Sequence, residues 1–331
     1  MSADSTPSLC PLCVGPRRHW LVMPIDAKTY APTRFGAVMR CDRCGLGGVD
    51  PLPDPSEVPA FYRLDAYYTQ GQSHFADGGR PTLIDRLRTH IAWRFDRGAE
   101  QTPALMLARL GRAPSAVSVL DIGCGAGERL AAFVKEGCAG LGLDPDETAA
   151  ERGRSKGLDI RIGTAERAAE TLAGRTFDLI VMSHALEHCV DPIAALGNVR
   201  KLLRDDGLFY CEVPNCAALH FETFNIVSEM FDAPRHLWFF EPASLRRALE
   251  AADLAVEADI YHGFTRHHAG AWRATENRIR ERLLASGLSS SPLPPPHSRA
   301  QSTRLLARSL LAPAMRKYDC AGVYARAAVA R

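Results

Sequence analysis

Two pairs of cysteines lie near the start of the chain, Cys10 with Cys13 and Cys41 with Cys44. This C-x-x-C spacing lets a tight backbone turn present two thiolates to one metal ion. Four thiolates complete a tetrahedral zinc shell and leave no open position for catalysis. A redox pair would begin a helix in a thioredoxin-like unit, and the surrounding sequence resembles no such unit. The spacing therefore predicts a structural zinc ribbon.

A glycine-rich turn is the second feature that could do chemistry. A β-branched run ends at Asp121, and Gly123, Gly125 and Gly127 follow before a helical stretch. Glycines permit positive φ and a close approach of the backbone to a ligand, and ligands of open parallel sheets bind at the carboxyl ends of the strands. The spacing G-x-G-x-G differs from the G-x-G-x-x-G of dinucleotide-binding turns. A turn of the same kind without a ligand is the alternative.

This turn, with an acid two residues before its first glycine, resembles the cofactor loop of class I S-adenosylmethionine (SAM) methyltransferases. Segments 177–192 and 202–209 are similar to the family's fourth strand with its Leu-Glu-His turn, and to the turn into its fifth strand. The resemblance covers about residues 115–262 and the terminal strand, and it implies that SAM is the cofactor. It implies that Asp121 acts through the amino-acid part of SAM and that Asp144 accepts both ribose hydroxyls. The further cofactor-binding residues that it implies are Thr164, Ala165, Glu166 and Ser183.

The order of the segments adds a second resemblance. The chain has cysteine pairs first, then proline-rich and tyrosine-rich stretches, and then a SAM domain. This order is similar to that of a bacterial methyltransferase subgroup that serves deoxysugar, polysaccharide and natural-product pathways. In its deoxysugar C-methyltransferases a histidine of the region matched by 233–245 is implicated as the base, which implies that role for His236. Tyr62, Tyr67 and Tyr68 are expected to cover the cofactor or the acceptor as a lid, with plain packing as the alternative.

Three histidines are candidate bases. Methyl transfer is an in-line displacement, and a base is needed only when the acceptor must lose a proton, as an alcohol or a carbon acid must. Histidine has a suitable pKa for that role. Besides His236, the candidates are His188 and His184, which follow the fourth strand. Each of the three could instead be a hydrogen-bonded structural histidine.

The elements that must position these residues follow from periodicity. From residue 116 onward strand, turn and helix alternate, which predicts an α/β Rossmann-like sheet, mostly parallel with an antiparallel last strand, with helices on both faces. A helix is predicted at 192–204 and the next strand at 208–213. The predicted units are a zinc ribbon at 1–55, a helical lid or connector at 56–115, a SAM-binding domain at 116–262, a basic helical insertion at 263–318 and a terminal strand at 319–331.

Charge and composition limit the partners. The 331 residues are 46% hydrophobic and 24% charged, with a net charge of +2, which is globular composition. Residues 266–331, here called the basic segment, contain twelve Lys/Arg against three Asp/Glu, a net +9, so the remainder carries −7. This segment could pack on an acidic domain, steer an anionic acceptor such as a nucleotide-linked sugar, or bind nucleic acid. The last is disfavoured because the arginines are dispersed.

The sequence also indicates where the protein acts. No apolar run approaches the ~18 residues of a membrane span, and the first residues have neither the basic start nor the apolar core of a secretory signal. Ten cysteines in a chain without an export signal are expected to remain reduced. These observations predict a cytoplasmic protein with no membrane partner, and a homodimer is compatible with them.

Together the patterns predict SAM-dependent methyl transfer to carbon or oxygen of a small-molecule acceptor, a sugar nucleotide or a natural-product intermediate, in a biosynthetic pathway. An RNA methyltransferase with a zinc module is the enzyme alternative. It is disfavoured because residues 182–185 read Met-Ser-His-Ala where base-nitrogen methyltransferases often have Asn/Asp-Pro-Pro-Tyr/Phe. A non-catalytic SAM-fold binding protein is the second alternative, and the intact glycine turn and Asp144 disfavour it.

Overall fold

The computed structural model describes residues 9–62 and 78–328. The strands in these ranges are β1 Arg17–Val22, β2 Ala37–Cys41, β3 Gly47–Val49, β4 Ser118–Ile122, β5 Ala139–Asp144, β6 Ile160–Ile162, β7 Phe177–Ser183, β8 Leu203–Pro214, β9 Trp238–Phe239, β10 Leu254–His262 and β11 Cys320–Ala327. The helices are α1 Leu83–Phe95, α2 Pro103–Leu110, α3 Glu128–Lys135, α4 Glu147–Ser155, α5 Ala168–Thr171, α6 Pro192–Leu202, α7 Leu219–Phe224, α8 Pro242–Ala251, α9 Gly270–Ser286, α10 Arg299–Ser309 and α11 Ala314–Lys317. Among these helices, none combines the length and apolar character that crossing a membrane requires.

The larger sheet has the strand order β10-β11-β8-β7-β4-β5-β6. Strands β4 to β8 pair in parallel, while β11 pairs antiparallel with both β8 and β10. The central strands are apolar on both faces, as in Leu179 and Ile180 of β7, which are both fully buried, because helices cover both faces of a parallel sheet. The predicted Rossmann-like sheet with an antiparallel last strand is confirmed.

Strand β8 is longer than the sequence predicted. It begins at Leu203, directly after α6, whereas the pattern predicted a helix to Arg204 and a strand from Leu208. Residues 204–206 are charged and exposed, which is typical of a turn. Leu203 nevertheless pairs with Phe177, and a register shift follows. The start of β8 is therefore an irregular pairing that side-chain alternation does not reveal.

The smaller sheet contains the cysteine pairs and has the order β1-β2-β3-β9, antiparallel throughout. Its last strand comes from the segment that follows β8, with Gly48 paired to Trp238 and Gly47 to Phe239. A Cβ on Gly48 would lie 2.5 Å from the ring of Trp238, so glycine allows the indole to lie against the strand. The ribbon is therefore completed by a distant part of the chain.

Several arginines of the basic segment pair with acids on other elements. Asp85 on α1 is 4% exposed and lies 3.2 Å from Arg273 of α9 and 3.1 Å from Arg299 of α10. Glu222 on α7 pairs with Arg308 at 3.1 Å. These contacts support the interpretation that the segment packs on acidic elements.

Candidate active site and cysteine cluster

The turn after β4 has the backbone that only its glycines permit. The φ angle is +73° at Gly123, +54° at Gly125 and +78° at Gly127, where residues with a Cβ are strained. The space is also closed, since a Cβ on Gly123 would lie 2.5 Å from the Cβ of Ala185, and one on Gly127 would lie 2.4 Å from Leu158. The turn lies at the carboxyl edge of the sheet, where an open α/β fold binds its ligand.

Two buried acids lie at this edge. Asp144 is 6% exposed; its Oδ2 accepts the N–H of Gly125 at 2.7 Å and its Oδ1 that of Asp146 at 2.9 Å. Each carboxylate oxygen has further lone pairs, so hydroxyl groups can still bind. Burial raises the pKa of Asp121 to about 7, while Arg129 lowers it and Asp144 raises it. The pair of acids favours a ligand with positive charge.

The residues expected at the adenine follow β6 at the same edge. Thr164 is exposed and Ala165 is 8% exposed. Glu166 is committed elsewhere, because its Oε1 accepts the N–H of Val190 at 2.8 Å and its carbonyl accepts Nδ2 of Asn198 at 2.6 Å. Its side chain therefore fixes the turn before α6, and Thr164 and Ala165 are the two that remain open to a ligand.

Ser183 ends β7 within a buried network that the sequence did not single out. Its Oγ donates to Oε1 of Glu212 and accepts from Nη2 of Arg129 at 2.9 Å. Nε2 of His262 donates to Oε2 of Glu212 at 2.6 Å. Although burial alone would raise it, the hydrogen bond from His262 and the charge of His184 hold the pKa of Glu212 well below its usual value. The network fixes the ends of β7, β8 and β10 beside the glycine turn.

His184 follows Ser183 in a backbone conformation that few residues adopt. Its φ is +52°, and its N–H donates to the carbonyl of Glu212 at 2.9 Å. Its Nε2 lies 3.4 Å from Sγ of Cys320, and its Nδ1 lies 3.3 Å from Oε1 of Glu187. Such strain persists only where the surroundings hold it, and here the last strand and the neighbouring turn do so.

Glu187, His188 and His236 form a group called here the histidine–glutamate cluster. One nitrogen of each ring and one oxygen of the carboxylate lie within 4.8 Å of one another, and the two ring centroids are 4.7 Å apart. Burial, together with the charge of His188, lowers the pKa of His236 to about 4. Its Nδ1 donates to the carbonyl of Met230 at 3.0 Å, so in the neutral ring Nε2 has the free lone pair. The structure thus brings two of the three candidate bases together with a buried carboxylate.

A family model described as a methyltransferase domain matches residues 92–259, just over half of the chain. The chain belongs to this family. It is similar to the ubiquinone biosynthesis O-methyltransferases of Ruegeria sp., 30% identical over 61% of this chain and 83% of that protein, and of Rhodopseudomonas palustris, 28% identical over 63% and 84%. A SAM-dependent methyltransferase structure from Archaeoglobus fulgidus is 19% identical with a TM-score of 0.46, covering 68% of this chain and 92% of that one.

The protein is a SAM-dependent methyltransferase, and its edge residues fit that cofactor. SAM carries a sulfonium and an amino group, which suit the buried Asp121 and Asp144, and its ribose hydroxyls suit the lone pairs left on Asp144. The matched range includes the glycine turn and the whole histidine–glutamate cluster, whereas the four cysteines lie outside it. The family match therefore gives no information on the cysteines.

The four cysteines of this methyltransferase converge. Sγ of Cys10 lies 3.5 Å from that of Cys44, and Sγ of Cys13 lies 3.4 Å from that of Cys41, with all four sulfurs within 4.8 Å of one another. Zinc–sulfur bonds of about 2.3 Å in a tetrahedron place sulfurs ~3.8 Å apart. A Cβ on Gly15 would lie 3.1 Å from Sγ of Cys41, so the backbone passes close to the sulfurs, as it does in the tight turns that bind zinc. The donor set and its spacing fit a zinc ion.

Of the three tyrosines expected to form a lid, the structure describes Tyr62. Its hydroxyl lies 2.9 Å from Nδ1 of His188, so it contacts the histidine–glutamate cluster directly. Tyr67 and Tyr68 lie outside the described residues. The contact supports a role for Tyr62 at the acceptor side of the site.

Proposed function

We propose that this methyltransferase transfers the methyl group of SAM to a hydroxyl oxygen of a small-molecule acceptor, a sugar nucleotide or natural-product intermediate, in a biosynthetic pathway. The observation that carries the proposal is the histidine–glutamate cluster, which lies next to the glycine turn because Ala185 packs against Gly123. A hydroxyl must lose its proton to become a good nucleophile, and unprotonated ring nitrogens serve that step. The names of the relatives, O-methyltransferases, agree with an oxygen acceptor.

The cofactor would lie along the carboxyl edge of the sheet. The turn Gly123–Gly127 would face its methionine part, with Asp121 next to the amino group, and Asp144 would accept the ribose hydroxyls. Thr164, Ala165 and Ser183 would border the rest of the cofactor. Bound SAM supplies an electrophilic methyl group, and the protein's task is alignment and exclusion of water.

On the acceptor side, His236 would take the hydroxyl proton at Nε2. Its Nδ1–H bond to Met230 fixes the tautomer and the orientation that this step needs. His188 would orient the acceptor together with Tyr62, which touches its ring. His184, held against Cys320 and Glu187, would maintain the turn after β7.

We also propose that Cys10, Cys13, Cys41 and Cys44 hold one structural zinc ion. Thiolate ligands in this number close the coordination shell, so the ion would take no part in the reaction. Its role would be to hold the smaller sheet, whose strand β9 begins two residues after His236.

The test is a methylation assay on the full-length protein with SAM and a panel of acceptors. The panel contains sugar nucleotides, catechols, other hydroxylated small molecules, primary amines and total RNA. We expect S-adenosylhomocysteine to form with a hydroxylated small molecule, with mass spectrometry placing the methyl group on oxygen. Turnover with amines alone or with RNA alone, or failure of SAM to bind, would contradict the proposal. Asp144→Ala serves as the control with weakened cofactor binding.

A further inference from the structure

We propose that four buried histidines form a pH-sensitive contact, which holds helices α9 and α10 against α7 at neutral pH and releases them in acid. These residues, here called the four-histidine core, are His220 of α7, His267 and His268 after β10, and His297 before α10. Each of them is 1% exposed. The inference goes beyond the proposed function, because it concerns the response of the fold to pH and does not depend on the acceptor.

The rings of the four-histidine core lie close to one another. His220 is stacked on His267, with ring centroids 4.0 Å apart and planes inclined by 13°, and its centroid lies 6.1 Å from that of His297. The ring of His268 packs edge-on against Phe264 at 5.3 Å, and within the described residues neither of its nitrogens has a hydrogen-bond partner. A proton on one ring therefore disfavours a proton on the next, since like charges repel and burial disfavours the charged form.

Glu276 of α9 gives the core room for one positive charge. It is 0% exposed; its Oε1 lies 3.0 Å from Nε2 of His220, and its Oε2 lies 2.6 Å from Nδ1 of His297. Although burial alone would raise it, the charge of His220 and the hydrogen bond from His297 hold the pKa of Glu276 at about 2. The carboxylate thus stays ionised, and one imidazolium beside it leaves the group neutral.

The other charges that face the core oppose any further imidazolium. The carboxylate of Asp319, directly before β11, is already matched by Arg266, whose Nε donates to its Oδ2 at 2.7 Å. On the side of α1, Arg88 and Arg273 share the carboxylate of Asp85 at 2.7 Å and 3.2 Å. Three arginines thus face two carboxylates, so the surroundings are net positive before a second histidine is protonated.

This charge balance makes the docked form resist protonation. Burial lowers the pKa of His267 to about 4, although Asp319 raises it. Burial, together with the charges of His267 and Arg88, lowers the pKa of His268 to about 2, and burial also lowers that of His297. An exposed histidine titrates near pH ~6.5, so the released form binds more protons than the docked form. Docking is therefore complete above pH ~6.5 and weakens as pH falls, by about 100-fold per pH unit where two protons are taken up.

Release of α9 and α10 would reach the active site through the start of β11. Nε2 of His267 donates to Oδ2 of Asp319 at 2.5 Å. The next residue, Cys320, has its Sγ 3.4 Å from Nε2 of His184 in the turn after β7. Loss of the contact with His267 would loosen this link, so acid should open the acceptor side of the site while the parallel strands stay folded.

The test follows hydrogen exchange by mass spectrometry in the full-length protein between pH ~7.5 and ~4.5, corrected for the intrinsic effect of pH on exchange. We expect α9 and α10 to lose protection cooperatively below pH ~6.5 and to regain it on neutralisation, while β4, β5 and β7 remain protected. Loss of protection in all elements together would overturn the proposal, because it would indicate ordinary acid unfolding. Unchanged protection of α9 and α10 down to pH ~4.5 would overturn it as well.

Substitutions in the core move the transition in opposite directions. His268→Leu removes a titrating ring at the cost of no hydrogen bond, so the midpoint should fall by roughly half a pH unit, whereas a merely structural role would raise it. Glu276→Gln removes the charge that stabilises one imidazolium, so α9 and α10 should be released at higher pH. His90→Leu, which removes an exposed imidazole on α1, should behave as the wild type does.

Circular dichroism at neutral pH checks that each variant is folded, and His268→Phe replaces His268→Leu if the latter is not. A midpoint for the His268 variant equal to or above that of the wild type would refute the assigned role of the four-histidine core. Methylation of hydroxylated acceptors at neutral pH is measured separately, so the proposed function stands or falls independently of this result.

Discussion

Arg235 and Asp26 form a two-pronged ion pair that ties the cysteine ribbon to the loop of the histidine–glutamate cluster. Nη1 lies 3.0 Å from Oδ2 and Nη2 lies 2.8 Å from Oδ1. Arg235 is 1% exposed and also contacts Asp232 at 2.8 Å. Its carbonyl accepts Nδ1–H of His188, and His236 is the next residue. One arginine thus links the ribbon to both histidines of the histidine–glutamate cluster.

Asp26→Asn should lower the free energy of unfolding by about 3 kcal/mol, because it leaves a buried guanidinium partly uncompensated. It should also lower kcat through the displaced histidines. Glu57→Gln is the matched control, since its pair with Arg34 is exposed and should be worth less than about 1 kcal/mol. Urea denaturation of both variants makes the comparison. Equal losses in the two would show that the buried pair has no special role.

Asp144→Ala should weaken binding of SAM by roughly 5- to 150-fold, equivalent to ~1–3 kcal/mol for ribose hydroxyls left without a partner. Titration calorimetry measures the change. Asp146→Ala is the control from the same loop. Asp146 caps α4 by accepting the N–H of Thr148 at 2.9 Å, so its loss should cost stability and leave cofactor affinity intact. Unchanged binding by Asp144→Ala would remove the assigned ribose contact.

Binding of SAM should release protons near neutral pH. Burial raises the pKa of Asp121 to about 7, so the folded state keeps this carboxyl neutral where the unfolded chain would ionise it. The contribution of Asp121 to folding stability is therefore present at pH 4 and is lost as pH rises through 7. A cationic ligand next to the carboxyl lowers that pKa, and about half a proton should leave at pH 7. Calorimetry in buffers of different ionisation enthalpy measures the release. Asp121→Asn should show none, and equal release by this variant would assign the proton to another group.

Purified protein should contain one zinc per chain held by the four cysteines. Cys44→Ser should lose the ion and melt at a lower temperature, because the smaller sheet includes β9 as well as the ribbon strands. Activity should fall with it, since β9 adjoins His236. Cys138→Ser is the control, since this buried cysteine follows α3 and belongs to a different hydrophobic cluster from the buried ribbon cysteines. Elemental analysis without metal, or a disulfide among the four thiols in reduced protein, would refute the site.

His236→Ala should lower kcat by 10²–10⁴-fold, the usual contribution of a base, while SAM affinity stays nearly intact. His188→Ala should disturb cofactor binding or stability as well, because its ring joins Tyr62, Arg235 and His236. Steady-state kinetics and calorimetry on the two variants separate these effects. Near-normal turnover by His236→Ala at all pH values would place the base elsewhere or indicate an acceptor that needs none.

Local patterns predicted much of the fold and part of the site. The alternation of strands and helices predicted the sheet, because the periodicity of apolar side chains and the positions of turn residues can be recognised within short stretches of sequence. The positive φ angles of the glycine turn and the convergence of the cysteines also agree with their spacing. Each of these features is decided within a few residues of sequence or by one well-known ligand geometry.

The missed features depend on contacts between distant residues. Strand β9 is two residues long, and nothing in Trp238–Phe239 indicates that it extends the ribbon. Glu212 could have been found, since it is a charge within the apolar run of β8, and its partners Arg129 and His262 come from other elements. Glu187 lies in the recognised Leu-Glu-His turn, but its full burial beside His184 is visible only in three dimensions.

The pairing of Gly48 with Trp238 has a consequence for synthesis on the ribosome. The two residues are 190 positions apart in the chain, which takes roughly 10–40 s to translate at ~5–20 residues per second. Until Trp238 emerges, β3 is an open edge with unpaired backbone groups that can recruit another chain. The first three strands of the ribbon are therefore synthesised well before the strand that completes their sheet, and during that interval the edge of β3 is exposed to association with other chains.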